Sequence, residues 1–325
     1  MTTFLQIDLP AVLTALFATL VCALAGNFLV LRREALLGDA LSHAVLPGIV
    51  VGFLLSGTRA ALPMILGAAG AAVLAAVLVH FVRRYGRVEP GAALGVVFTV
   101  MFALGVVMLE QGAAHRVDLD PDCVLYGQLE TVIWLAAKGP GSLIDPDALA
   151  QLPRELVTLV ITFTILAALT AWFWKEIKIS TFDPELATSL GIPANFFRFG
   201  VMLAAAVATV VSFEAVGSIL VVAMLVCPAA AARLVANRYG SQLAVTLTIA
   251  AFTAIAGYTA AAFGPAALGA SIALNAAGMI AALAGVVLGV AALFTRHGGP
   301  WQRHAAQPIL KEPTEAKGVS ARAPG

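Results

Sequence analysis

The sequence predicts an all-α polytopic membrane protein, and three observations support this fold class. Hydrophobic residues make up 61% of the 325 residues and charged residues only 11%, whereas soluble domains carry about 25% charged residues. The apolar residues form runs close to or above the length of about 18 that crosses a bilayer. Lys and Arg are also distributed unequally between the loops. We therefore expect a membrane domain over residues 1–295 and a disordered cytoplasmic tail over 296–325.

Nine apolar segments, each bounded by charged residues or by Gly and Pro, are candidate membrane spans. Little polar sequence separates the two segments that meet around Glu214–Gly217, so we expect about eight to nine transmembrane helices. The segments are 11–31, 36–57, 60–82, 91–110, 155–174, 198–215, 216–235, 243–263 and 270–294.

The positive charges predict the orientation of the chain. If the N-terminus lies outside, 15 of the 19 Lys and Arg residues fall inside, and the exceptions are Arg59, Arg116, Lys138 and Arg154. Inside loops of membrane proteins carry such an excess. We therefore expect the N-terminus outside, the C-terminus inside, an external segment at 111–154 and a cytoplasmic segment at 175–197.

The second apolar segment carries Asp39 and His43, which are four residues apart and so share one face of a helix. Ionisable side chains are costly inside a membrane and usually mark a functional site. A carboxylate and an imidazole are ligands that first-row divalent metals accept. The pair therefore predicts a site for a transported metal ion. The alternative is a structural pair in which Asp39 answers Arg32 or Arg33 and His43 is hydrogen-bonded within the bundle.

Three further carboxylates are candidates for a gate or a transport pathway. Glu214 lies between two apolar segments, and Asp118 and Asp120 belong to the acidic run DLDPD. The acidic run can concentrate cations near an entrance, but an ordinary Asp-Pro turn also explains it. Glu214 has the alternative interpretation of an interfacial carboxylate at an external turn.

The cytoplasmic segment contains signals for a short capped helix. Thr181 or Asp183 supplies the start signal, Pro184 occupies the first turn, and Gly191 marks the end. Such a helix is suited to dock a soluble partner. The chain has no G-x-x-x-x-G-K-[ST] motif, so we expect no ATP hydrolysis through a phosphate-binding loop and no enzymatic activity of its own.

Four separate stretches, in order, resemble the membrane subunits of ABC importers for manganese, zinc or iron. They are LRREALLGDALSHAVLPGIVVGFLL, RVDLDPDCVLYGQLE, TFDPELATSLGIP and AVGSILVVAMLVCPAAAARL. The resemblance covers roughly residues 11–295. It implies a type II importer permease whose fold is similar to the cobalamin importer's membrane subunit without its first helix.

The resemblance also implies residue roles and partners. The family's pathway metal site maps onto Asp39 and His43, and its coupling helix maps onto 183–191, with Glu185 and Leu186 near the ATPase contact. The implied partners are two copies of an ATP-binding subunit, a periplasmic or lipid-anchored metal-binding protein, and a second permease chain, identical or a sister. Membrane lipid surrounds the chain in a bacterial plasma membrane, and no nucleic acid is involved.

The expected function is the import of a divalent transition-metal ion, with Mn²⁺ favoured and Zn²⁺ or Fe²⁺ also compatible. The ion is the cargo, and no permanently bound cofactor is expected. A proton-coupled secondary transporter that uses Asp39 and His43 as a proton relay is the rival interpretation. The capped cytoplasmic helix and the lack of other midplane carboxylates argue against it.

Overall fold

The structure is a computed structural model that describes residues 4–35, 40, 43–57, 61–113, 129–137, 139–143, 145–236, 238–267, 269 and 274–294. Regular secondary structure in this part of the chain is helical throughout. The predicted tail at 296–325 lies outside the described residues.

Twelve α-helices occur in the described ranges. They are α1 (Leu9–Leu31), α2 (Leu46–Ser56), α3 (Ala61–Gly86), α4 (Pro90–Met108), α5 (Pro146–Leu149), α6 (Arg154–Trp172), α7 (Trp174–Phe182), α8 (Pro184–Ser189), α9 (Ala194–Val216), α10 (Ser218–Val235), α11 (Tyr239–Ala267) and α12 (Ala276–Phe294).

The helices confirm the predicted all-α membrane architecture. Seven of those described are long and apolar enough to cross a membrane, and two shorter apolar helices lie at Leu46–Ser56 and Leu220–Val235. Each of the nine apolar segments of the sequence overlaps one of these nine helices. The helices at 46–56 and 220–235 are shorter than a full span.

Helix α1 forms the centre of the main bundle and packs against α6, α9, α10 and α11. Ala15, Ala18 and Val21 are fully buried. At Gly26 an added Cβ would lie 1.7 Å from the carbonyl oxygen of Leu225, so the α1 and α10 backbones are in direct contact. Small residues permit this close approach, which stabilises helix pairs where lipid supplies no hydrophobic driving force.

Helices α2, α3 and α4 form a second group that packs on the main bundle through α3 and α9. An added Cβ at Gly48 would lie 2.1 Å from the carbonyl oxygen of Gly67, so α2 and α3 also meet backbone to backbone. A small core of Ala44, Ala71 and Val97 lies between the three helices. This group holds the segment that carries His43.

Part of the predicted external segment is hydrogen-bonded to Gln6, which lies just before α1. Trp134 is buried, its backbone N–H donates to the Gln6 carbonyl at 2.8 Å, and its indole N–H donates to the Ala148 carbonyl at 2.9 Å. The Gln6 side-chain amide donates to the Ala137 carbonyl at 2.8 Å. Residues 114–128, which include the acidic run, lie outside the described residues.

Candidate functional site

The His43 imidazole lies between two phenylalanine rings of α4. Its ring centroid is 5.8 Å from that of Phe98, in a stacked arrangement, and 5.0 Å from that of Phe102, edge to face. The nearby residues Ala40 and Ala44 are also buried, so His43 belongs to a segment that packs inside the protein. Two rings four residues apart on one helix restrict the rotation of the imidazole and give it apolar walls.

The close packing of α4 against the start of α2 sets the position of His43. An added Cβ at Gly105 would lie 2.9 Å from the Pro47 nitrogen. Pro47 lies in the first turn of α2, where its missing N–H costs no helical hydrogen bond. The segment that carries His43 therefore packs closely on α4 at Gly105, which has no side chain to keep the two backbones apart.

Asp39 lies outside the described residues, so its pairing with His43 stays a prediction. Among the described residues no group of three or more His, Cys, Asp or Glu side chains is placed to hold a metal ion. The His43 imidazole can supply one nitrogen ligand to a metal ion. A site for a divalent ion at this point needs at least the Asp39 carboxylate beside it.

The candidate gate residues are placed only in part. Asp118 and Asp120 lie outside the described residues. Glu214 belongs to the last turn of α9, and Gly217, with φ +84°, separates α9 from α10. The sequence break near this carboxylate is therefore a true interruption between two helices.

The predicted capped helix is confirmed as α8. Asp183 is its N-cap and accepts a hydrogen bond at Oδ1 from the Leu186 N–H at 2.9 Å, and Pro184 is its first residue. Gly191 has φ +79°, and the Ile192 N–H donates to the Ala187 carbonyl at 2.9 Å. This is the glycine-terminated helix end that satisfies otherwise unpaired carbonyls.

The surface of α8 has an apolar stripe. The side chain of Ala187 is fully buried, whereas that of Leu186 is 49% exposed and that of Leu190 is 61% exposed. These two leucines are four residues apart and so share one face. Glu185 is also exposed. Helix α8 and its C-cap residue Leu190 therefore present two leucines and a carboxylate on the outer surface, and the Asp183 cap and the Gly191 turn fix the two helix ends.

Three charged residues to which the sequence analysis assigned no role in transport, Arg32, Glu34 and Arg198, connect the end of α1 to the segments flanking α8. Arg32 Nε donates to Thr181 Oγ1 at 3.3 Å and Arg32 Nη2 donates to Ser180 Oγ at 3.2 Å. Arg198, near the start of α9, forms an ion pair with Glu34. The hydrogen bonds of Arg32 within the described part of the chain go to α7, and because Asp39 lies outside the described residues, the alternative pairing of Asp39 with Arg32 or Arg33 stays untested.

The environment of Arg32 differs from that of a surface arginine. Partial burial lowers the pKa of its guanidinium, and the neighbouring Glu34 carboxylate acts in the opposite direction. An arginine pKa lies far above neutral pH, so the group keeps its charge. A charged donor that binds two hydroxyls forms stronger hydrogen bonds than a neutral donor would.

The comparisons with known proteins decide the family. The family model described as the ABC 3 transport family matches residues 4–134 and 146–291. The chain belongs to the ABC 3 transport family. This ABC 3 chain is 38% identical over 278 residues to the manganese transport system membrane protein MntD of Bacillus subtilis, covering 86% of this chain and 88% of that protein.

Two further comparisons agree with the family assignment. The ABC 3 chain is 40% identical over 221 residues to the zinc transport system membrane protein TroD of Treponema pallidum, which covers 68% of this chain and 58% of that protein. Its fold is similar to a chain of PsaBC from Streptococcus pneumoniae in complex with Fab, with a TM-score of 0.72 and 26% identity over 91% of this chain and 94% of that chain.

Proposed function

We propose that this chain is the membrane-spanning permease subunit of an ATP-driven importer for divalent transition-metal ions, with Mn²⁺ favoured and Zn²⁺ or Fe²⁺ also compatible. The observation that carries the proposal is the family match along almost the whole membrane domain. The relatives named for manganese and zinc transport support the cargo class. The chain is a multi-pass protein of the bacterial plasma membrane.

The pathway of the ion is proposed to pass Asp39 and His43. The aromatic walls around His43 support this assignment, because they hold an imidazole in one place within an apolar group of helices. Glu214, Asp118 and Asp120 are proposed to act at a gate or along the approach. Nitrogen and oxygen ligands without a thiolate suit Mn²⁺, Fe²⁺ and Zn²⁺.

Energy is proposed to come from two copies of a separate ATP-binding subunit that dock on α8. The exposed Leu186 and Leu190, with Glu185 beside them, give a soluble partner an apolar anchor and a charge to recognise. A periplasmic or lipid-anchored metal-binding protein is proposed to deliver the ion from outside. A second permease chain, identical or a sister, completes the pathway.

The function is tested by reconstituting the chain in proteoliposomes with candidate ATP-binding and metal-binding subunits from the same organism. We expect ⁵⁴Mn²⁺ uptake that requires ATP and stops when the ATP-binding subunit is omitted. Uptake that continues without that subunit and follows a proton gradient would instead support the proton-coupled carrier. No uptake of Mn²⁺, Zn²⁺ or Fe²⁺ under any condition would exclude metal transport.

The orientation is tested by labelling single cysteines in whole cells. We expect a cysteine at Asp147 to react with a membrane-impermeant maleimide added outside, and one at Glu185 to react only after the membrane is opened. Both positions are exposed on the chain surface, so access depends on the side of the membrane. The expectation follows from the excess of Lys and Arg in the inside loops. The reverse pattern would overturn the N-terminus-outside topology.

A further inference from the structure

The turn that ends α1 is unusually well fixed. The Glu34 N–H donates to the Leu29 carbonyl at 2.8 Å, and the Arg33 N–H donates to the Val30 carbonyl at 3.1 Å. Arg33 has φ +58°, a left-handed conformation that residues with a Cβ rarely adopt. This helix end makes residues 32–34 a rigid extension of α1. Asp39 follows Glu34 by only five residues in the sequence.

Both ends of the α8 region are attached to this rigid turn. Arg32 binds Ser180 and Thr181, the residues just before the Asp183 cap of α8. Glu34 binds Arg198, which lies in α9 shortly after α8 ends. Any displacement of α8 by a docked partner therefore acts on residues 32–34 from two sides.

The ion pair is poorly suited to a purely stabilising role. The Arg198 side chain is 60% exposed and the Glu34 side chain 22%. Pairs this open to solvent contribute little to stability. The Arg32 hydrogen bonds connect residues about 150 positions apart in sequence, so they join the end of α1 to α7 across the fold.

We propose that Arg32 and Glu34 are positioning residues that link the α8 region to the segment carrying Asp39 and His43. This inference rests on the proposed function, because it assigns them the transmission of ATPase motion to the metal pathway. Neither residue touches the metal or the ATPase. Each acts by holding the turn at residues 32–34, which precedes the Asp39 segment in the sequence, in register with α7 and α9.

The test uses the full complex in proteoliposomes and measures Mn²⁺ imported per ATP hydrolysed. We expect Arg32→Gln and Glu34→Arg each to lower this ratio by at least about fivefold, the lower end of coupling effects between linked sites. The amount of assembled complex and its ATPase rate should stay close to the unsubstituted values. Arg32→Lys should retain part of the ratio, since it keeps the charge and a donor.

The matched control is Arg33→Gln, which removes the same charge one residue away. Arg33 is exposed, and the described part of the chain records no hydrogen bond or ion pair from its side chain. We expect its import ratio to be unchanged. The double variant Glu34→Arg/Arg198→Glu restores an ion pair of reversed polarity and should recover most of the ratio lost in Glu34→Arg.

The outcomes separate this inference from the proposed function. A normal ratio in Arg32→Gln, or a swap that recovers nothing, would overturn the positioning role. A parallel loss of complex, ATPase activity and uptake would show a structural role only and would also overturn it. Failure of the unsubstituted complex to import any metal would instead overturn the proposed function on which the inference rests.

Discussion

Replacing His43 with Ala, or Asp39 with Ala, is expected to lower metal import by at least about 100-fold while leaving the chain folded and inserted. Loss of groups that merely support a metal ligand costs about 10- to 100-fold, so loss of a ligand itself should cost no less. The fold should survive, because the rings that His43 contacts, Phe98 and Phe102 of α4, lie outside the main hydrophobic cluster around α1. The measurement is initial ⁵⁴Mn²⁺ uptake at several metal concentrations in the reconstituted complex.

A histidine outside the proposed pathway provides the control. His80 lies in α3, and His80→Ala removes an imidazole from the same group of helices. We expect the His80→Ala variant to import metal normally.

Phe102→Leu keeps apolar volume next to His43 but removes the ring, so it should raise the KM for metal several-fold and alter kcat less. Wild-type transport with unchanged metal preference in both the Asp39 and the His43 variants would refute the site.

Gly191→Trp is expected to separate ATP hydrolysis from transport or to release the ATP-binding subunit. A residue with a Cβ at φ +79° costs about 1–2 kcal/mol of backbone strain. No atom of the described chain lies within 4 Å of an added Cβ at Gly191. The indole therefore projects outward beside the exposed face of α8, where the partner is proposed to dock. We expect copurification or metal-stimulated turnover to fall sharply.

A second glycine allows the strain to be separated from the docking effect. Gly269 has φ +70° and no described neighbour within 4 Å of an added Cβ, and the predicted topology puts it on the outer side. Gly269→Trp introduces a similar backbone strain, because the φ angle is also positive, but on the side of the membrane opposite to α8 in the predicted topology. We expect it to assemble and turn over normally. A Gly191→Trp complex with normal stoichiometry and turnover would contradict the coupling role of α8, and metal affinity should be unchanged in both variants.

The features that sequence predicted well are those decided by neighbouring residues. Length and apolarity place the nine hydrophobic helices, because a segment in lipid must satisfy its own backbone hydrogen bonds. The α8 boundaries follow from Asp183, Pro184 and Gly191, which act within one or two turns of themselves. Local chemistry alone fixes such features, so no tertiary information was needed.

The features that sequence reasoning missed depend on contacts between distant parts of the chain. Phe98 and Phe102 lie over 50 residues from His43, and nothing in the apolar run of α4 distinguishes them from lipid-facing residues. The partners of Arg32 are equally remote. The charged triplet 32–34 directly before the Asp39 segment was the one available signal, and it does not reveal which hydroxyls or cations it contacts.

The attachment of Trp134 and Ala137 to Gln6 has a practical consequence for protein engineering. A fusion partner inserted directly before Gln6 would lie beside the backbone and amide hydrogen bonds that hold this loop. A folded tag there competes with the loop for space. Helix α12 ends at Phe294, which is 82% exposed. Affinity tags and fluorescent reporters therefore belong beyond α12, where they leave the Trp134 loop undisturbed.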